Sequence, residues 1–190
     1  MPFEFAPHPA LPEVVHVKPR LFSDARGWFA ETYKRSDFAA HGIPDDFRQD
    51  NHSYSAPAGV LRGLHFQLPP QAQGKLVRCV RGTILDVAVD IRRGSPTYGR
   101  WAGVELSARR QDELWVPPGF AHGFITREPD CEVAYKTTGE YAPALERTIR
   151  WDDPALAVDW GTQTPVLAPR DAAAPTLVEL DNPFVFEGKR

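Results

Sequence analysis

Three observations predict an all-β fold, a jelly-roll barrel with a few short helices. The chain's 14 glycines and 19 prolines cut it into many short runs. Those runs are rich in Val, Ile, Leu, Phe and Trp, the residues that fit a pleated, half-buried surface. There are roughly ten of them and no long helical pattern, as in barrels that hold a small ligand between two sheets.

At 190 residues the chain suits one domain with a sizeable core, so 1–190 is taken as a single barrel. Val14 to Lys18 is the first strand expected, ending at Pro19. Arg20 to Tyr33 is a strand, a turn at Asp24 to Gly27, and a returning strand. Ser36 and Asp37 are the expected N-cap of a short helix through His41, stopped by Gly42. Phe47 to Tyr54 is a strand carrying the polar cluster Gln49, Asp50, Asn51 and His52.

Gly59 to Gln67 follows as a strand, broken by Pro69-Pro70. Lys75 to Arg81 and Thr83 to Ile91 are separated by Gly82 alone, which predicts a tight hairpin. The second of these alternates, with Leu85, Val87, Val89 and Ile91 on one face and Asp86 and Asp90 on the other. Trp101 to Leu106, Glu113 to Val116, His122 to Thr126 and Cys131 to Thr137 complete the strands. Asp152-Asp153-Pro154 starts a helical turn through Ala157. The tail, 165–190, is rich in Pro and Ala and is expected to lie extended on the barrel.

The charge balance, 22 basic against 25 acidic residues and a net charge of -3, disfavours a nucleic-acid or anionic-membrane surface. The N-terminus lacks a basic region followed by an apolar one, and no apolar run approaches the ~20 residues of a membrane span. A cytoplasmic protein is the default expectation. Cys79 and Cys131 lie in apolar strands and are expected as buried free thiols.

Chemistry concentrates in two stretches. Gly59-Val60-Leu61-Arg62-Gly63-Leu64-His65-Phe66-Gln67 delivers a guanidinium and an imidazole on one strand. Trp115 to Phe124 feeds a second histidine, His122, through the rigid Pro117-Pro118-Gly119 turn. Two chemistries are open to such a pair. Pro117 to His122 resembles the second metal motif of the cupin superfamily, but the first motif's ligands are missing: His65 is followed by Phe66 and Gln67, and Gln71 and Gln73 are amides. Two histidines alone fall short of a transition-metal site. The alternative is proton abstraction by a histidine without metal, which needs an orienting carboxylate and a nearby acid.

The stretch 59–67, with Lys75-Leu76-Val77-Arg78, Asp86 to Asp90, Ser95 to Gly99, Pro118 to Phe124, Tyr135-Lys136, Trp151 to Pro154 and Arg170-Asp171-Ala172, resembles the dTDP-4-dehydrorhamnose 3,5-epimerase family. The resemblance runs in order from roughly Phe22 to Leu177. It implies a cofactor-free epimerase that inverts both carbons beside the ketone of dTDP-4-keto-6-deoxy-glucose. A relative that inverts one carbon would share these motifs, and a non-catalytic nucleotide-sugar binder on the same barrel is a third reading.

By similarity His65 is the base, Asp171 its partner, Lys75 the stabiliser of charge on the ketone oxygen and Tyr135 the acid on the opposite face. Arg62 and His122 would line the sugar site, and Arg26 and Arg170 would meet the diphosphate. Glu31, Gln49, Asp50, Asn51 and Glu146 match nucleotide- and sugar-contacting positions, Tyr141 would stack on thymine, and Phe22 is a second hydrophobic contact. The resemblance also implies a homodimer in which an N-terminal segment, about residues 1–35, crosses to the partner, so that Phe22, Arg26 and Glu31 complete its site.

One point of geometry stands out. Arg62 and His65 have opposite parity on a regular strand, and both can reach one cavity only if the strand bulges, for which Gly63 is the natural place.

Overall fold

The structure, a computed structural model, describes residues 2–43 and 46–188. The chain runs β1 (Phe3–Pro7), β2 (Val15–Pro19), β3 (Phe22–Asp24), β4 (Gly27–Phe29), α1 (Arg35–Ala40), β5 (Gln49–Ser55), β6 (Leu61–Gln67) and β7 (Lys75–Arg81). It continues through β8 (Thr83–Asp90), β9 (Trp101–Ser107), β10 (Glu113–Val116), β11 (Phe120–Thr126), β12 (Cys131–Thr137), β13 (Glu146–Thr148) and α2 (Pro169–Ala172). Two large sheets form, ordered β1-β2-β10-β7-β12-β5 and β13-β6-β11-β8-β9, with β3 and β4 as a separate ribbon. Every large-sheet pairing is antiparallel, as expected of a jelly roll.

Strand alternation sorts side chains into three layers. Val77, Cys79 and Val133 from one sheet meet Ile84, Ala88, Phe120 and Phe124 from the other, and this is the core between the sheets. Leu61, Leu64, Phe66, Val87, Val89 and Ile91 face the other way, under a cover that includes Ile149, Leu156, Trp160 and Leu177. Phe3, Val15, Val17, Leu76 and Trp115 bury the outer face of the six-stranded sheet with Phe38 of α1. Both faces of β8 are therefore enclosed, and Asp86 is fully buried. Cys79 and Cys131 are buried free thiols. Among the described residues no helix is long and apolar enough to cross a membrane.

Four expectations need correction. A strand, β1, precedes the one expected as first; it lies at the sheet edge, where Pro7 costs no ladder bond. Ser36 and Asp37 do not cap α1, which starts at Arg35 after Lys34 with no side-chain cap. β7 and β8 form no hairpin: they belong to different sheets. Gly82 is a corner with φ +83, and a Cβ there would lie 2.5 Å from Cys131 Sγ. The tail is not simply extended. Pro169, in the first turn, opens the short helix α2, and a Thr176/Glu179 capping box closes a further turn at Leu177–Glu179.

Candidate active site

β6 is the origin of the site. Against β11, His65 pairs with His122 and Arg62 with Phe124, so three steps on β6 oppose two on β11. The extra residue is the bulge expected at Gly63, whose φ is +135. A Cβ there would meet Gly123 Cα at 2.5 Å; only the bare backbone fits. Parity resets across the bulge, and Arg62 and His65 both line one cavity of about 400 Å³.

α2 brings the carboxylate. Asp171 Oδ1 lies 2.7 Å from His65 Nε2, while Oδ2 accepts from the Gly63 backbone N–H at 3.3 Å. Burial alone would raise the Asp171 carboxyl, but the hydrogen bond and charge of His65, with the Gly63 amide and Arg170, hold it below the usual carboxylate range. An ionised carboxylate only accepts, so it fixes one imidazole nitrogen as the N–H donor and leaves the other free to take a proton.

The facing sheet supplies Lys75 from β7 and Tyr135 from β12, both on the same cavity. Burial pulls the Lys75 ammonium down to about 8, against the opposing charges of Asp86 and Glu146. Its Nζ donates to the His65 carbonyl at 3.3 Å. Burial also pushes the Tyr135 phenol up, Glu146 adds to this, and Arg62 opposes it.

Behind the cavity His122 Nε2 lies 2.8 Å from Asp86 Oδ1, with both side chains buried. Burial lowers the His122 imidazole and Asp86 opposes that shift. Asp86 was not among the site residues inferred from sequence. The signal was present: it is an acid on the same face of β8 as Ile84 and Ala88, which pack in the core.

At the mouth, Arg170 Nη1 donates to Glu146 Oε2 at 2.6 Å, and the Tyr141 hydroxyl donates to the same oxygen at 2.9 Å. Gln49 and Asn51 from β5 join Tyr141 there, lining an adjoining cavity that shares His65, Lys75, Tyr135, Glu146 and Arg170. Eleven of the expected site residues therefore converge in one chain.

Four do not. Asp50 faces the opposite side of the sheet, where it meets Lys136 at 2.8 Å, because alternation points its neighbour Asn51 inward. Phe22 and Arg26 lie on the exposed β3–β4 ribbon, where Arg26 pairs with Asp24 at 2.7 Å. Glu31 does not line either cavity. Among the described residues, no three His, Cys, Asp or Glu side chains cluster closely enough to hold a metal ion.

What the arrangement offers is an imidazole backed by a carboxylate on one wall, a phenol on the other, and an ammonium between. A family model described as dTDP-4-dehydrorhamnose 3,5-epimerase matches residues 8–179. The enzyme of that name from Sinorhizobium fredii is 47% identical over 178 residues, covering 93% of this chain and 91% of its own. That from Pseudomonas aeruginosa is 50% identical over 174 residues, covering 90% and 95%. Among solved structures, the dTDP-6-deoxy-D-glucose-3,5-epimerase of Legionella pneumophila in complex with dTDP-4-keto-L-rhamnose superposes with a TM-score of 0.90. It is 43% identical, over 94% of this chain and 95% of that one.

Proposed function

Because this chain belongs to the dTDP-4-dehydrorhamnose 3,5-epimerase family, we propose that its cavity inverts carbons 3 and 5 of dTDP-4-keto-6-deoxy-D-glucose, giving dTDP-4-keto-L-rhamnose. The observation that carries this reading is the placement of His65 and Tyr135 on facing sheets around one cavity, with Asp171 at 2.7 Å behind the imidazole.

The ketone acidifies the C–H bonds on either side, so the protein has to remove a proton from one face and return one to the other. His65 takes the proton. Asp171 orients the ring and stabilises the imidazolium that forms. The Lys75 ammonium, itself buried, meets the negative charge that develops on the ketone oxygen, where a low local dielectric strengthens the attraction. Tyr135 then delivers a proton from the opposite wall, and Arg62, close enough to oppose the upward shift of its phenol, favours the phenolate left behind. Positioned acid–base groups contribute ~10²–10⁴-fold, so orientation of the substrate must supply much of the remainder.

His122 and Arg62 frame the sugar. Arg170 suits the diphosphate through its guanidinium fork, Gln49, Asn51 and Glu146 bind beside it, and the Tyr141 ring takes the base. Phe22, at 46% exposure, and the ribbon residues Trp28 at 52% and Phe29 at 66% are large apolar groups without cover in this chain. That fits a homodimer in which Phe22, Arg26 and Glu31 of the partner subunit close the site. A nucleotide-sugar substrate also suits the cytoplasmic location expected from the sequence.

The test is to incubate the protein with the 4-keto sugar nucleotide in D₂O and follow carbons 3 and 5 by NMR. Exchange and inversion at both positions support the reading. Exchange at one alone makes it a mono-epimerase, and exchange at neither ends the proposal for this substrate.

A further inference from the structure

β6 ends on Gln67, a side chain only 3% exposed whose amide is matched on every side. Nε2 donates to the carbonyl of Glu140 at 2.9 Å and to that of Gln71, and Oε1 accepts from the backbone N–H of Ala142 at 2.9 Å. Residues 140 and 142 flank Tyr141, in a stretch that belongs to no strand or helix. Backbone without a ladder must satisfy its polar groups elsewhere. Gln49, from the other sheet, accepts the Tyr141 N–H at 2.8 Å, so two amides grip this loop from two sheets.

The amide is chemically specific. A carboxylate cannot donate to two carbonyls, and an imidazole cannot donate twice while also accepting once. We propose that Gln67 is a positioning residue that acts through Tyr141: it orders 140–142 so that the ring stands at the nucleoside end of the site, and it sets nucleotide affinity, not the rate of proton transfer at His65. This rests on the nucleotide-sugar reading of the site.

Gln67→Glu keeps the shape and the acceptor but removes the donors, and Gln67→Met removes all three bonds. Each is expected to weaken dTDP binding and raise KM by ~10-fold, the scale of one or two lost hydrogen bonds. The kcat and the deuterium uptake at saturating substrate should stay within ~3-fold of the parent, too small a change to reflect a lost transition-state contact. Adding Tyr141→Ala should weaken dTDP binding no further than Tyr141→Ala does alone. A kcat that falls as far as KM rises, or losses that simply add, would overturn the proposal. Should neither variant fold, hydrogen exchange on the unmodified protein decides: a protected Ala142 amide supports it, and an amide exchanging at the open-chain rate overturns it. If the unmodified protein fails to bind dTDP, the nucleotide-sugar reading is what fails, and the Ala142 amide still decides whether Gln67 orders the loop.

Discussion

His65 and Asp171 meet at 2.7 Å across a sequence separation of 106 residues. The imidazole sits on β6, between β13 and β11 in its sheet, and the carboxylate on a four-residue helix packed against that strand at Gly63 and His65. Replacing His65 by Ala is expected to abolish deuterium uptake at both carbons. Asp171→Asn should keep the fold but lower kcat by ~10²–10⁴-fold, because an amide no longer compels the productive tautomer. Rates equal to the parent in the Asp171→Asn protein would remove the carboxylate from the mechanism.

Tyr135 faces His65 from the other sheet, and their losses should differ in kind. In Tyr135→Phe the base is intact, so solvent deuterium should still enter the substrate while net inversion drops by ~10²-fold or more. Indistinguishable exchange and inversion losses in the two variants would argue against separate base and acid roles.

Lys75 sets an alkaline limit. Its folded-state value is about 8, and the charged form is the one that stabilises the oxyanion, so kcat/KM should fall as pH rises through about 8. Tyr135 is shifted upward, and ionises later. Lys75→Met should lower the rate by ~10²–10³-fold and erase the limb near pH 8. A limb unchanged in that variant would assign it to another group.

Glu113 makes the same pH region informative for stability. This carboxyl is buried on the outer side of the six-stranded sheet, 4.0 Å from Arg78, with Oε2 unpartnered among the described residues, and burial pushes it up to about 8 despite the opposing charges of Arg78 and Lys136. The folded state then holds a proton that the unfolded chain loses near its ordinary 4.5. Its contribution is fully present below that value and disappears as pH climbs to about 8. Glu113→Gln should therefore be nearly neutral at pH 4.5 and stabilising by roughly 1–3 kcal/mol at pH 8, with the catalytic limb unmoved. Parallel stability–pH curves for parent and variant, from urea melts, would show that the carboxyl titrates normally.

Much of this was legible in the sequence because the barrel repeats a period of two. The strand from 83 displays both of its faces, and His65, Lys75, Tyr135 and Asp171, which line one cavity, stand in recognisable stretches. What escaped reading was what period two does not encode. Asp50 and Asn51 are adjacent and equally polar, so only the strand's placement tells which one faces inward. Gly82 signals a sharp turn but not whether the next strand pairs back or crosses to the other sheet. Asp86 stands on the face opposite Leu85 and Val87, and alternation alone does not tell that both faces of its strand are interior. Phe22, Arg26 and Glu31 line neither cavity within this chain, and no pattern along one chain tells where a residue reaches a second copy.

The bulge at Gly63 also limits how this pocket can be moved or rebuilt. Transplanting Arg62 and His65 onto a regular strand of another barrel would send the guanidinium and the imidazole to opposite surfaces. Because the bulge is accommodated by the bare backbone of Gly123 on the adjoining strand, the smallest portable unit is a pair of strands with both glycines, and a designer who grafts side chains alone will recover a binding surface that cannot turn over.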